Sequence, residues 1–527
     1  MKPQEFNISS EKFNFANSNK NLRDKELVTK PVSYFKDAFS RFKKNKASIV
    51  ASIIICILVL YALIVPFVSP YKVSYDDTYF RHTLPKVELL ANTNIWDGCR
   101  EESMNEYTFL SYYSMGVETG HNAIKNQEYT TYQTTDPSGK TNKLVTMYTA
   151  RVDSYQKNGV KFINVTAAEY KSIQDYQDEY GVQVIYPITN SKLRPTKVSD
   201  TADASFWYKT KQVGNQTVPV DYTIHEDGSI TFTNIYRPYT GMDGYYSRMR
   251  IQEEVDAGQY LYNYAFANQT GYEIRVNYYE YYIYMHKIVM GDRISKPSFI
   301  FGTTSSGQDI FSCLASGARF SFILAIVVAT VNLVVGAIYG AIEGYYGGKV
   351  DLIMERIVEI LSAVPFMIVI TLLKYHMMGQ SQVLILFISF FLTGWIGMAG
   401  RTRMQFYRFK NQEYVLAART LGARDWRIMF KHIFPNSLGT LVTSCVLVIP
   451  GMIFSETSLS YLGIINLNSG NMTSVGTLLA NGQPFLVTYP HNILFPSLFI
   501  SLLMLSFNLF GNGLRDAFNP SLRGTED

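Results

Sequence analysis

Six long, almost charge-free apolar runs constrain this chain more than any other feature. They lie at Ala47–Val65, Phe320–Ile342, Leu361–Leu373, Val383–Ala399, Leu438–Phe454 and Ile493–Phe510. At a rise of about 1.5 Å per residue, the first run nearly crosses a hydrocarbon core of roughly 30 Å. Buried helices of a large soluble protein would rarely exclude charge six times over, so six membrane spans are expected. The third run is the shortest and carries Pro365.

Charge sets the orientation. Cytosolic ends of spans collect Lys and Arg. Lys36, Arg41, Lys43, Lys44 and Lys46 precede the first run. Arg401, Arg403, Arg408, Lys410, Arg419, Arg424, Arg427 and Lys431 fall between the fourth and fifth. From Ser455 to His491 there is no Lys or Arg. Both signals put the N-terminus and the arginine-rich loop inside, and six spans return the C-terminus there as well. A multi-pass protein of the cell (plasma) membrane is expected.

The same count places residues 70–299 outside the cell. This block carries most of the chain's 39 tyrosines and explains a mean hydropathy of only −0.01. It is long enough to have its own core. Val218–Tyr236 alternates around Glu226-Asp227-Gly228 like a β-hairpin, and Asp136-Pro137-Ser138-Gly139 signals a turn. Glu273–Tyr284 reads as strand and Ser247–Phe266 as helix, which together suggest an α+β domain. The organisation is then a cytoplasmic segment 1–46, a first span 47–69, an extracellular domain 70–299 and a core 300–524.

Several function classes find no support. Charged residues make up 17% of the chain, against about 25% in ordinary soluble proteins. A net charge of +5 builds no case for nucleic acid. Cys56, Cys99, Cys313 and Cys445 form neither a metal spacing nor a disulfide framework. Gly302, Gly307, Gln308 and Asp309 only approach a phosphate-binding loop, because the Lys and the Ser/Thr that hold phosphate and magnesium are missing. The chain is therefore not its own ATPase. No nucleophile, base or metal constellation near the spans suggests an enzyme, and no cofactor is expected on this chain. His376 and His491 read as ordinary surface histidines. Asn164, Asn215 and Asn268 match a glycosylation acceptor pattern.

Two motifs carry mechanical meaning. Gly336, Gly340, Gly344 and Gly348 recur every four residues in the second run, a spacing that lets another helix approach closely. Gly347-Gly348 reads as a chain turn. The inner loop, residues 411–436, is the second motif. Asn411–Leu421 is helix-compatible, Gly422 supplies a break, Asp425 can cap a second helix, and Pro435 precedes the fifth span. Such a helix–turn–helix can act as a rigid lever, or rest as a basic amphipathic segment on anionic lipid. Glu456, just beyond the fifth run, is a candidate for the translocation path.

That inner loop resembles the coupling loop of ABC importer permeases, with paired Ala417-Ala418, then Gly422, then Pro435. Leu416 stands where the family often has an acidic residue, and Phe434 where it usually has Leu. Three further stretches, Arg41–Tyr71, Phe301–Phe322 continuing from Tyr345, and Pro496–Gly524, resemble the OppC/DppC branch of oligopeptide and dipeptide importers. The resemblance covers the membrane portion and omits the tyrosine-rich block. It implies a membrane all-α, six-helix ABC importer permease with a large inserted extracellular α+β domain between helices 1 and 2. It further implies a second homologous permease subunit, two cytosolic ATPase subunits that carry ATP and Mg, and an extracellular substrate-binding lipoprotein delivering peptide. The coupling residues would be Glu413, Ala417, Ala418, Gly422, Asp425, Arg427 and Pro435. A competing expectation is a surface receptor or adhesion protein built around the outer block, since tyrosine-rich surfaces suit interfaces.

Overall fold

The computed structural model describes residues 34–91, 93–135, 144–186, 211–213, 216–218, 222–224, 230–232, 265–267, 270–292, 294–467 and 473–518. Helix α1 (Tyr34–Lys44) leads into α2 (Lys46–Val68), whose start is fixed by Asn45 accepting the Ser48 amide at 3.3 Å. The other long helices are α6 (Ile310–Tyr346), α9 (Gln382–Phe409), α11 (Asp425–Tyr461) and α13 (His491–Phe518), the last preceded by the short α12 (Val475–Gly482). Among the described residues, five helices are thus long and apolar enough to cross a membrane. The expected third span is not one straight helix. It is a pair, α7 (Gly348–Ser362) and α8 (Phe366–His376), bent by 73°. Pro365 sits at the N-cap of α8, where its missing N–H costs nothing, and it turns the preceding residues away from helix. Six crossings result if the bent pair counts as one.

The crossings pack around a shared core that includes Leu314, Val328, Ile370, Leu386, Ile453 and Leu503. The glycine spacing in α6 serves this packing. A Cβ on Gly340 would lie 2.1 Å from the Ala399 carbonyl oxygen, and one on Gly336 2.6 Å from that of Trp395. Gly344 faces Arg403 and Phe406 in the same way. The α6–α9 seam therefore brings backbone against backbone, as small residues permit. Gly348 departs from that role: it opens α7, with Gly347 and Gly348 both at positive φ (66° and 56°), so the two make the turn. At the helix ends, Phe42 packs edge-on against Phe510 at 5.4 Å, and Ser48 donates to the Leu509 carbonyl.

Between α2 and α6 the chain builds mixed α and β structure. One antiparallel sheet has the order β1–β3–β2, formed by Cys99–Asn105, Leu144–Asp153 and Ile124–Thr135. Helix α3 (Glu106–Thr119) covers it, with Phe109 stacked on Tyr148 at 4.2 Å. A second sheet joins β10 (Ala265–Ala267), β11 (Tyr272–Asn277) and β4 (Val160–Val165), with β5 (Ile185–Tyr186) also pairing to β11. Helix α4 (Ala167–Tyr180) begins at a Thr166 cap on the Glu169 amide and ends at Gly181, φ 63°. This is a Thr-x-x-Glu start and a left-handed glycine stop.

The alternating stretch around Gly228 is a hairpin: β8 (Tyr222–Ile224) pairs antiparallel with β9 (Ile230–Phe232), while its turn lies outside the described residues. A shorter hairpin, β6 (Lys211–Val213) with β7 (Gln216–Val218), precedes it. The turn at Asp136 and the helix expected over 247–264 also lie outside them, and residues 265–266 belong to β10. Glu273–Tyr284 is only half strand. After Asn277, whose side chain caps the Tyr279 amide, the chain becomes α5 (Tyr278–Tyr284). Tyrosines alone do not separate the two states, and the cap decides. Phe80, Tyr155, Tyr278, Tyr282 and Phe299 form an aromatic core next to the entry into α6.

Candidate functional site

At the end of the helices away from the inserted region, the chain makes an exposed elbow. Helix α10 (Glu413–Thr420) places its single acid, Glu413, in the first turn, where it complements the helix dipole. Val415 is fully buried and anchors α10 against Phe406, Ile428, Met429 and Ile433, together with Ala341 and Tyr345 of α6. Gly422 takes φ 79°, a left-handed conformation with open space around it, and ends the short helix. The exposed rim carries Ala417, Leu421 (87% exposed), Trp426 (63%) and Arg427. Ala418 is half-buried beside Ala417.

Two expectations for this elbow need correction. Asp425 is not a side-chain cap: the cap position is Arg424, without a side-chain bond, and Asp425 is the first helical residue. Its Oδ1 instead accepts the Tyr345 hydroxyl at 2.6 Å, tying the elbow to α6. Pro435 does not precede a separate span. It lies inside α11, directly after a widened π turn over Ile428–Ile433. That wider turn accommodates the ring where a regular turn would clash with it. The elbow's second arm is thus one continuous helix with the fifth crossing.

Behind the elbow sits a charge cluster that hydropathy did not reveal. Arg403 of α9 reaches Asp351 Oδ1 at 2.7 Å, Glu355 Oε2 at 3.0 Å and Glu343 Oε1 at 3.5 Å. Glu343 is 1% exposed. Tyr407 donates to Asp351, and Lys410 donates to the Gly344 carbonyl at 2.9 Å. One guanidinium therefore joins α6, α7 and α9, the geometry for which its planar fork suits. The only sequence signal was an acid flanking an apolar run and an arginine one turn beyond another.

Glu456 occupies a different setting from the one expected. It is 1% exposed, and its carboxylate accepts from Ser321 at 2.7 Å and Ser460 at 3.1 Å. It faces packing between helices of this chain rather than an open surface, because buried carboxylates need donors and α6 supplies one.

At the opposite end, the inserted region grips the turn before α13. His82 stacks flat on Tyr489 (4.4 Å, 5°), lies 4.2 Å from the Phe485 ring, and contacts Asn492 at 2.8 Å. Burial, followed by Lys157 and Arg81, holds the His82 pKa below its ordinary value. Arg100 donates to the Thr488 carbonyl at 2.8 Å and lies 4.7 Å from the Tyr489 ring centroid. His491 is buried beside Gly302 rather than surface-exposed, whereas His376 is exposed. Gly302 and Gly307 (φ 78° and 81°) shape the turn into α6, and Asp309 caps that helix through the Ser312 amide at 2.9 Å. Burial, with Asp153 and Asp97 adding to it, pushes the Cys99 thiol up to about 12, which keeps it unreactive.

Comparison with known proteins matches both parts of the membrane core. Residues 333–524 match the family described as binding-protein-dependent transport system inner membrane component. Residues 33–85 match the N-terminal TM domain of oligopeptide transport permease C. The oligopeptide transport system permease protein OppC of Bacillus subtilis (strain 168) is 43% identical over 223 residues, 42% of this chain and 72% of that protein. The dipeptide transport system permease protein DppC of the same organism is 39% identical over 224 residues, 42% of this chain and 69% of that protein. DppC of Lactococcus lactis subsp. cremoris (strain MG1363) is 40% identical over 233 residues, covering 44% and 66% respectively. Neither family match reaches residues 86–332, where most of the inserted region lies.

Proposed function

The chain belongs to the OppC/DppC permeases of binding-protein-dependent transport systems, and we propose that it is the membrane-spanning permease subunit of an ATP-driven importer of oligopeptides or dipeptides. The observation that carries the mechanism is the elbow. Its rim exposes Leu421 and Trp426, its hinge is Gly422, and its far arm runs unbroken into a membrane helix. Force applied to the rim moves α11 directly, and the Tyr345–Asp425 bond passes it to α6.

In this reading two cytosolic ATPase subunits bind ATP and Mg and press on residues 413–427. A second homologous permease completes the path. The apolar faces that α7 and α8 leave uncovered, including Ile353 and Ile360, suit that subunit or lipid. Both termini lie in the cytoplasm of a bacterial-type cell, and the inserted region stands outside. Its grip on the turn before α13 supports a position beside the outer mouth, where in this reading it docks a binding lipoprotein that delivers peptide.

The test is peptide uptake together with co-purification of the ATPases. Leu421→Asp should abolish both in cells that carry the full transporter. Normal uptake in that variant, or labelling of the elbow from outside intact cells, would overturn the reading. Deleting the inserted region with the spans intact should also stop uptake; unchanged uptake would favour an adhesive role for it.

A further inference from the structure

The inserted region holds a cleft of about 970 Å³. Helices α4 and α5 and the loop leading toward α6 form its walls. Its size lies at the upper end of small-ligand sites, which run to about 1,000 Å³.

The lining combines both signs of charge with tyrosine ring faces. Glu280 is 8% exposed, and its Oε1 lies 3.2 Å from His121 Nε2. Lys287 is exposed, and its ammonium sits 3.3 Å from the Tyr180 ring centroid. Two other lining charges are already engaged. Lys86 pairs with Asp153 at 3.4 Å, and Asp292 pairs with Lys72 at 3.4 Å. Glu88, Lys287 and Lys296 have no ion-pair partner among the described residues. A ligand matching this lining carries an ammonium and a carboxylate, with amide planes or side chains to lie on aromatic rings.

We propose that this cleft binds short peptides as zwitterions, with Glu280 and Glu88 receiving the N-terminal ammonium and Lys287 and Lys296 the C-terminal carboxylate. The permease then has a peptide-holding site of its own, outside its membrane helices and apart from the binding protein. The proposal rests on the peptide-import reading for its choice of ligand.

The test uses the full chain in lipid nanodiscs, titrated with tri-alanine and with its N-acetylated and C-amidated forms. Glu280→Gln and Lys287→Met should each weaken tri-alanine binding about tenfold, the effect of losing one charge-assisted hydrogen bond. N-acetylation should erase the difference between wild type and Glu280→Gln, and amidation the difference for Lys287→Met. Lys287 is exposed, so its variant stays informative even if Glu280→Gln folds poorly. Absence of saturable binding, or binding unchanged in Lys287→Met, overturns the proposal. Cellular uptake of tri-alanine is scored separately. Chain-dependent uptake without cleft binding removes only this site, whereas cleft binding without any uptake removes the transport reading instead.

Discussion

Tyr345 of α6 donates its hydroxyl to Asp425 Oδ1 at 2.6 Å, across a sequence separation of 80 residues. This bond joins the exposed elbow to a helix that crosses the membrane beside it. Tyr345 is 7% exposed, so the contact forms at a largely dry seam where a charge-assisted hydrogen bond is strong.

Removing that bond should uncouple the machine without dismantling it. Tyr345→Phe keeps the ring and its packing and loses about 1.5–3 kcal/mol of interaction with the carboxylate. Peptide uptake should fall about tenfold or more, while co-purification of the ATPases stays normal. Parallel uptake and ATP-hydrolysis assays on the reconstituted transporter check this.

Arg403 should be far less replaceable. Arg403→Ala leaves Glu343, 1% exposed, as a buried acid without its guanidinium, at a cost of about 3–5 kcal/mol. Thermal unfolding in detergent should show a large loss. The double variant Arg403→Ala/Glu343→Gln should recover part of it, because the stranded charge is then gone.

The α6–α9 seam gives a prediction with an internal control. Gly340→Ala drives a Cβ to 2.1 Å from the Ala399 carbonyl oxygen, a backbone atom that cannot swing away. Overpacking of this kind costs about 1–3 kcal/mol. Gly397→Ala on α9 meets nothing within 4 Å and should be neutral or stabilising by up to about 1 kcal/mol. Melting curves should show a clear loss for Gly340→Ala and none for Gly397→Ala.

Asp309 makes stability depend on pH. Asp309 caps α6 ahead of its first residue, and the apolar run of that helix begins only at Phe320, roughly 16 Å further along, so the cap lies outside the crossing. Burial raises the Asp309 pKa from 3.8 to about 6, against the opposing bonds from Ser312 and Phe311. The folded state therefore holds a proton that the unfolded state releases between those values. Its contribution is full below about pH 4 and is lost as pH rises through about 6. Asp309→Asn keeps the cap and should flatten the melting temperature over that window. An unchanged pH slope in this variant would exclude the assignment.

Much of the membrane core was legible because its signals are local. Apolar length marked the crossings, glycine spacing marked a close helix seam, and Gly422 marked the break after α10. The hairpin at Tyr222–Phe232 followed from alternation. The failures share a cause. Asp425 looked like a cap because cap preference is local, yet its partner lies on a distant helix. Tyr278–Tyr284 looked like strand because tyrosine favours strands, and the Asn277 cap overrode that preference. His491 looked exposed because nothing near it in sequence announces Gly302 and the turn that buries it.

The sequence by itself determined that this chain carries membrane-crossing helices and where a glycine ends the short helix between two of them. Hydrocarbon requires backbone polar groups to be satisfied within the chain, which long apolar helices do, and glycine takes the left-handed conformation that ends a helix more readily than other residues. Only the tertiary structure decided which partner satisfies each buried polar group: Ser321 for Glu456, Asp351 for Arg403, Asn492 for His82, the last pair 410 residues apart. Desolvation makes such partners obligatory, but it does not say from which helix they come.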